Sequence, residues 1–169
     1  DWSSDVCSSD LGTLGSMPGS PLVVQKFGGS SVADAERIRR VARRIKRERD
    51  GGSRLVVVVS AMGDTTDELL ALAAAITDEP DKRELDVLLA TGEHQSATLV
   101  SMALHALGVP AISLTGAQAG ITTDGTYGRA RIAGVEPTRI RHELAQGKVV
   151  IVAGFQGQDR KSTRLNSSH

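Results

Sequence analysis

Two unbroken apolar runs, "RLVVVVS" at 54–60 and "KVVIVAG" at 148–154, constrain this chain more than any other feature. A strand with one wet face alternates polar and apolar residues, whereas a strand without alternation has to be covered on both faces. Both runs are short, rich in Val and Ile, and preceded by turn residues, Asp50-Gly51-Gly52 and Gly147 respectively. That combination favours strand over buried helix. Strands covered on both sides need helix layers above and below them, which is the usual setting of a parallel sheet.

The rest of the chain supplies those layers. "LVVQKF" (22–27) and "PAISLT" (110–115) read as two further strands. A helix of about 18 residues is expected from Val32, because Ile38, Val41 and Ile45 recur at spacings of three and four and make one buried stripe. "AMGDTTDELLALAAAI" turns and enters a second helix, and Pro80-Asp81 breaks the chain. Helical patterning resumes over 82–107, with an interruption expected near Thr91-Gly92. Pro137 marks the start of a helix through "TRIRHELAQG". The stretch 116–129, with glycines at 116, 120, 125 and 128, reads as an exposed loop or hairpin. The expected fold class is α/β: a three-layer αβα sandwich around an open, mostly parallel sheet. Ligands of such sheets sit outside the carboxyl ends of the strands.

The folded unit is expected over 17–159. Residues 1–16, "DWSSDVCSSDLGTLGS", and the tail at 160–169 carry neither period and read as disordered or foreign to that unit. The single cysteine, Cys7, lies in the first of these and can form no internal disulfide, which fits a cytoplasmic setting. Lys plus Arg and Asp plus Glu both number 20, so no overall field draws the chain to nucleic acid or to an anionic membrane. No apolar run approaches the roughly 18 residues needed to span a bilayer. The first helix carries eight basic residues between Arg37 and Arg49. With no aromatics among them and with Glu36, Glu48 and Asp50 nearby, they read as a solvated face. The histidines at 94, 105, 142 and 169 have no metal-ligand spacing.

Chemistry concentrates at the strand ends. In "KFGGSS" (26–31) the glycines let backbone N–H groups approach an anion, Ser30 or Ser31 can cap the helix with Asp34 in its first turn, and Lys26 adds a mobile positive charge. The lysine precedes the glycines, so this is neither a Walker-type loop nor the G-x-G-x-x-G of a nicotinamide-binding domain. A tight strand-to-helix turn with a solvated lysine explains the same residues. "SAMGDTT" (60–66) repeats the pattern of strand end, glycine and hydroxyls, with Thr65 or Thr66 available as a helix cap. In "TGEH" (91–94), Glu93 falls near an expected helix start, where the dipole alone favours an acid. Together the three offer a phosphate-ready turn, hydroxyls for a carboxylate and a carboxylate for an ammonium. Arg129 and Arg131 in "GTYGRARI" flank a glycine loop and could approach an acidic substrate.

In order and spacing, "VVQKFGGSSV", "VVVVSAMGDTTDELL", "LLATGEH", "TGAQAGITTD" and "VVIVAGFQG" resemble the N-terminal half of aspartate kinase in the amino-acid kinase family, most of all the actinobacterial type. The resemblance covers Leu22 to about Gln158. It implies transfer of the ATP γ-phosphoryl group, with Mg2+ carried by the nucleotide, to the side-chain carboxylate of L-aspartate, the first step towards lysine, threonine and methionine. By position, Lys26 looks like the catalytic, phosphate-binding lysine, and Phe27, Gly28, Gly29 and Ser60 fall on the nucleotide side. Ser30, Thr65 and Glu93 fall on the aspartate side, with Glu93 receiving the α-ammonium. No residue is implied as a metal ligand. His94 departs from the Gln or Arg that the family commonly has, and it receives no role.

After "VAGFQG" the family continues into a glycine-rich "TTLGRGGSD" segment, a nucleotide-binding half and regulatory domains, whereas here "QDRKSTRLNSSH" follows. The resemblance therefore implies an acceptor-binding half, inactive and poorly soluble alone, from an oligomeric parent enzyme. Acetylglutamate, glutamate 5- and uridylate kinases share the fold but not the combined motif set. A non-catalytic module that binds aspartate is the alternative from another class.

Overall fold

A computed structural model gives the arrangement of residues 19–124, 131–154, 156–159 and 165–167. In chain order the first half comprises β1 (Leu22–Phe27), a 3-10 turn (Gly29–Val32), α1 (Ala35–Asp50), β2 (Arg54–Val59), α2 (Thr65–Ile76) and α3 (Lys82–Ala106). The second comprises β3 (Ala111–Leu114), β4 (Ile121–Thr123), β5 (Ile132–Val135), α4 (Thr138–Ala145), β6 (Val149–Ala153), β7 (Gln156–Asp159) and β8 (Leu165–Ser167).

The two unbroken runs become β2 and β6, which lie side by side at the centre of a parallel sheet ordered β1-β2-β6-β3. Their alternate residues go to opposite layers. Val57, Val59, Ile151 and Ala153 pack with Ile38, Val41 and Ile45 of α1 and with Ala97, Val100 and Leu104 of α3. Val56, Val150 and Val152 pack with Leu144 of α4 and with Ala119. Both faces are dry, as the absence of alternation required. Edge strand β1 differs: Phe27 is buried, but Leu22 and Val24 on its other face are 52% and 65% exposed.

A second sheet, ordered β5-β4-β7-β8, was not expected. The segment read as a loop or hairpin contributes β4, which pairs antiparallel with β5 just beyond that segment. Gly120, at φ +80°, turns into that hairpin so tightly that a methyl group there would overlap the Glu136 carbonyl oxygen. Within the tail, Leu165–Ser167 forms β8 and pairs antiparallel with β7. Residues 1–16 lie outside the described residues.

Two helix boundaries differ from expectation. α1 starts at Ala35 rather than Val32, because Asp34 takes an extended conformation (φ −150°) and its carboxylate accepts from the Arg37 N–H at 2.8 Å. The cap is therefore Asp34, not Ser30 or Ser31. α3 runs without a break through Thr91-Gly92. The Thr91 hydroxyl donates to the Leu88 carbonyl at 2.6 Å and the Ser96 hydroxyl to that of Gly92 at 3.3 Å, so the hydroxyls follow the helix instead of opening it. On α1, Arg37 pairs with Asp34, Arg40 with Glu36 and Lys46 with Asp50, in keeping with a solvated face.

Glu143 anchors α4 to β6. It is 2% exposed, with Arg139 Nε at 2.7 Å and Lys148 Nζ at 2.6 Å from its two carboxylate oxygens. The hydrogen bond from Lys148, helped by the charges of Lys148 and Arg139 and opposed by burial, holds its carboxyl below the ordinary value of 4.5. A lowered folded-state value means stability that is present above the unfolded value and lost as pH falls through 4.5 and below. Glu143→Gln is expected to cost about 1–3 kcal/mol at pH 7, since both partner cations keep contact with water. In urea titrations at several pH values, the variant should also lose stability less steeply than the parent on acidification. Parallel acid limbs would exclude the assignment.

Candidate active site

All four strands of the first sheet point the same way, and their carboxyl ends are level: Phe27 pairs with Val59, Val59 with Ala153, and Leu114 with Val152. Gly28, Ser60, Thr115 and Gly154 thus leave the sheet along one edge. Two of these exits are tied to their neighbours. The Ser60 N–H donates to the Phe27 carbonyl at 3.1 Å, and the Gly154 N–H to the Val59 carbonyl at 2.8 Å.

Beyond the sheet the first two turns are packed backbone to backbone. The Gly63 N–H donates to the Gly29 carbonyl at 3.1 Å, and a methyl group at Gly29 would lie 2.7 Å from the Ala61 carbonyl oxygen. α3 closes on the same point. A methyl group at Gly92 would lie 3.1 Å from Thr65 Cγ2 and 3.3 Å from Ala61 Cβ. Buried Ala61 therefore carries the first turn against its carbonyl and α3 against its methyl. "KFGGSS", "SAMGDTT" and "TGE" meet around this one small residue.

Gly28, Gly29, Ser30, Ser60, Thr65 and Glu93 accordingly fall in one neighbourhood at the strand ends. Gly28 has open space where a side chain would go. Ser30 is exposed in the 3-10 turn, Ser60 is half-buried, and Thr65 is half-buried as the first residue of α2. Lys26 is exposed one residue before the end of β1, on the sheet face opposite Phe27. Phe27 is the last residue of β1. Its ring is buried in the core with the Arg44 guanidinium 5.7 Å from its centre, and its carbonyl is taken by Ser60.

The local explanations offered by the sequence change as well. Because α1 begins beyond Asp34, its amino terminus is set back from the glycines by the 3-10 turn. Thr65 is not the cap of α2; Asp64 holds that position, without a side-chain cap bond. Glu93 lies in the middle of α3, half-buried and far from either end, so a helix dipole does not account for it. Ala61 and Gly92 received no role from sequence, although a glycine inside a helical pattern is itself a signal of close packing. Arg129 lies outside the described residues, and Arg131 is exposed with its N–H held by the Asp124 carboxylate at 3.1 Å. Among the described residues no three His, Cys, Asp or Glu side chains gather as a metal-binding group, and no helix is long and apolar enough to cross a membrane.

The family model described as the amino acid kinase family matches residues 21–168. The chain belongs to the amino acid kinase family. Within it, an aspartokinase of Mycobacterium tuberculosis is 59% identical over 142 residues, covering 83% of this chain and 34% of that protein. The chain thus spans about a third of the length of the curated relatives it matches. A solved aspartate kinase from Synechocystis is 52% identical with a TM-score of 0.68, over 82% of this chain and 22% of that one. Aspartokinase III of E. coli, solved with aspartate and ADP, shares the fold at a TM-score of 0.73 and 24% identity, over 88% of this chain and 43% of its own.

Proposed function

We propose that these residues form the amino-acid-acceptor side of an aspartate kinase, which transfers the γ-phosphoryl group of ATP to the β-carboxylate of L-aspartate. The observation that carries the proposal is the convergence of three motifs on Ala61 at the strand ends. Similarity to aspartokinases over most of this chain supports the choice of acceptor. In this reading Glu93 receives the α-ammonium of aspartate, and Thr65 and Ser30 hold its carboxylates. Lys26, Gly28, Gly29 and Ser60 face the phosphates, and Phe27 supports them from below through its strand. The glycine cradle fits the nucleotide: Gly28 leaves room for a phosphate oxygen, and the backbone contact at Gly29 fixes the turn. Mg2+ travels with ATP and offsets phosphate charge.

The acceptor carboxylate is already ionised and nucleophilic, so the protein supplies no general base. What it supplies is position and charge: an in-line approach, and donors aimed at the transferred oxygens. The remaining groups of an active enzyme belong to the further length that the relatives have, and the 169 residues alone are expected to form no aspartyl phosphate. The parent enzyme is assigned to the cytoplasm, as an oligomer serving lysine, threonine and methionine synthesis.

Calorimetric titration of L-aspartate into the chain tests the acceptor assignment. Binding should weaken by about 10–100-fold in Glu93→Gln, the loss of one charge-assisted bond to an ammonium. Equal affinity in parent and variant would remove Glu93 from the site.

A further inference from the structure

We infer that Gly92 is a positioning residue of the acceptor site: its missing side chain sets the spacing between Thr65 and Glu93. The inference deepens the acceptor reading above and rests on it. Glycine in the middle of a helix costs about 1 kcal/mol relative to alanine. α3 nevertheless carries Gly92 at its centre, buried, and continues unbroken on both sides. What the glycine provides is proximity. A methyl group there would meet Thr65 Cγ2 at 3.1 Å, Ala61 Cβ at 3.3 Å and Leu69 Cδ1 at 3.5 Å. The first two are tighter than ordinary van der Waals contact, and Thr65 and Leu69 both belong to α2.

α3 thus seats directly on the first turn of α2, and the point of contact is the residue next to Glu93. Any side chain at 92 has to displace Thr65 or Ala61 from α3. Ala61 is the less able to yield, because its carbonyl lies 2.7 Å from where a methyl group on Gly29 would be. The displacement therefore falls on Thr65. An amino acid held by its ammonium at Glu93 and by a carboxylate at Thr65 reads that distance directly, and misplacement by a fraction of an ångström is costly for such a two-point grip.

A double-mutant cycle with L-aspartate calorimetry tests this, using Gly92→Ala, Thr65→Ser and the pair together. Serine keeps the hydroxyl at 65 and removes the Cγ2 that a methyl at 92 would strike. Gly92→Ala alone should weaken aspartate binding by about tenfold, while its melting temperature shifts by only a few degrees, because alanine's gain of about 1 kcal/mol in helix propensity offsets much of the overpacking against Thr65 and Ala61. In the Thr65→Ser background the same substitution should cost less than about threefold, whatever Thr65→Ser does by itself. A purely structural role predicts loss of binding that tracks loss of melting temperature, and that outcome overturns the inference. So does Gly92→Ala binding like the parent, or an undiminished loss in the Thr65→Ser background. If the parent chain binds no aspartate, the acceptor reading itself fails and takes the inference with it. Binding by the parent with no effect at Gly92 rejects the inference alone.

Discussion

In a full-length enzyme carrying this segment, Lys26→Ala should lower kcat by about 10²–10⁴-fold and leave the melting temperature almost unchanged. The two halves of that expectation come from different observations. Lys26 is exposed at the end of an edge strand, so removing its side chain opens no cavity. Its proposed chemical role rests on what phosphoryl transfer demands. Negative charge spreads over the transferred oxygens, the acceptor needs no deprotonation, and the protein's contribution is a cation placed where that charge develops. An ammonium on a four-carbon stem is long enough to reach past the strand end, as the proposed phosphate contact requires. Lys26→Arg should recover only part of the rate, because the guanidinium keeps the charge but changes the shape of the donor. Steady-state kinetics with saturating aspartate and ATP would decide it. Turnover like the parent's would take Lys26 out of the mechanism.

Gly29→Ala should damage both stability and activity, and Gly28→Ala should not destabilise. The contrast between adjacent glycines is geometric. A methyl at Gly29 would come within 2.7 Å of the Ala61 carbonyl oxygen and 3.5 Å of the Gly63 carbonyl oxygen, whereas nothing lies within 4 Å of one at Gly28. The atoms struck at Gly29 are backbone, and that backbone is held by the bond from the Gly63 N–H to the Gly29 carbonyl. The first turn must therefore move away from the second, at an overpacking cost of about 1–3 kcal/mol. For a domain of this size the corresponding fall in melting temperature is about 2–4 °C for each kcal/mol. Since the two turns carry the proposed phosphate and aspartate contacts, activity in the full-length enzyme should fall with it. Thermal melts of the two alanine variants test the structural half directly. Similar melting for Gly29→Ala and Gly28→Ala would contradict the packing of the turns.

The sequence was most informative where one physical requirement acted alone. Val56 to Val59 and Val149 to Val152 had to be covered on both faces, and no local alternative competed, so the centre of the sheet was readable with the helices that cover it. Legibility failed where local and distant interactions compete. Ser30, Ser31 and Asp34 are all good caps, and the choice of Asp34 depended on a 3-10 turn that packs against Ala61. Gly92 reads as a breaker in isolation and becomes a contact only when α2 is laid across it. The second sheet is built from strands as short as Ile121–Thr123, whose parallel partner Gln156–Asp159 is remote in sequence. At the site, the ionisable and hydroxyl residues were visible as candidates, whereas the residue on which the three segments converge was not. Alanine has no chemistry to announce it, and Ala61 matters only because it is small enough for three segments to meet.

The central claim is that those three segments form one acceptor site. Backbone amide NMR shifts recorded during an L-aspartate titration test it most directly. The account predicts that Gly28–Ser31, Ala61–Thr65 and Gly92–Glu93 shift together, with one shared saturation curve. Saturable shifts confined to one segment, or no shifts at millimolar aspartate, would contradict it.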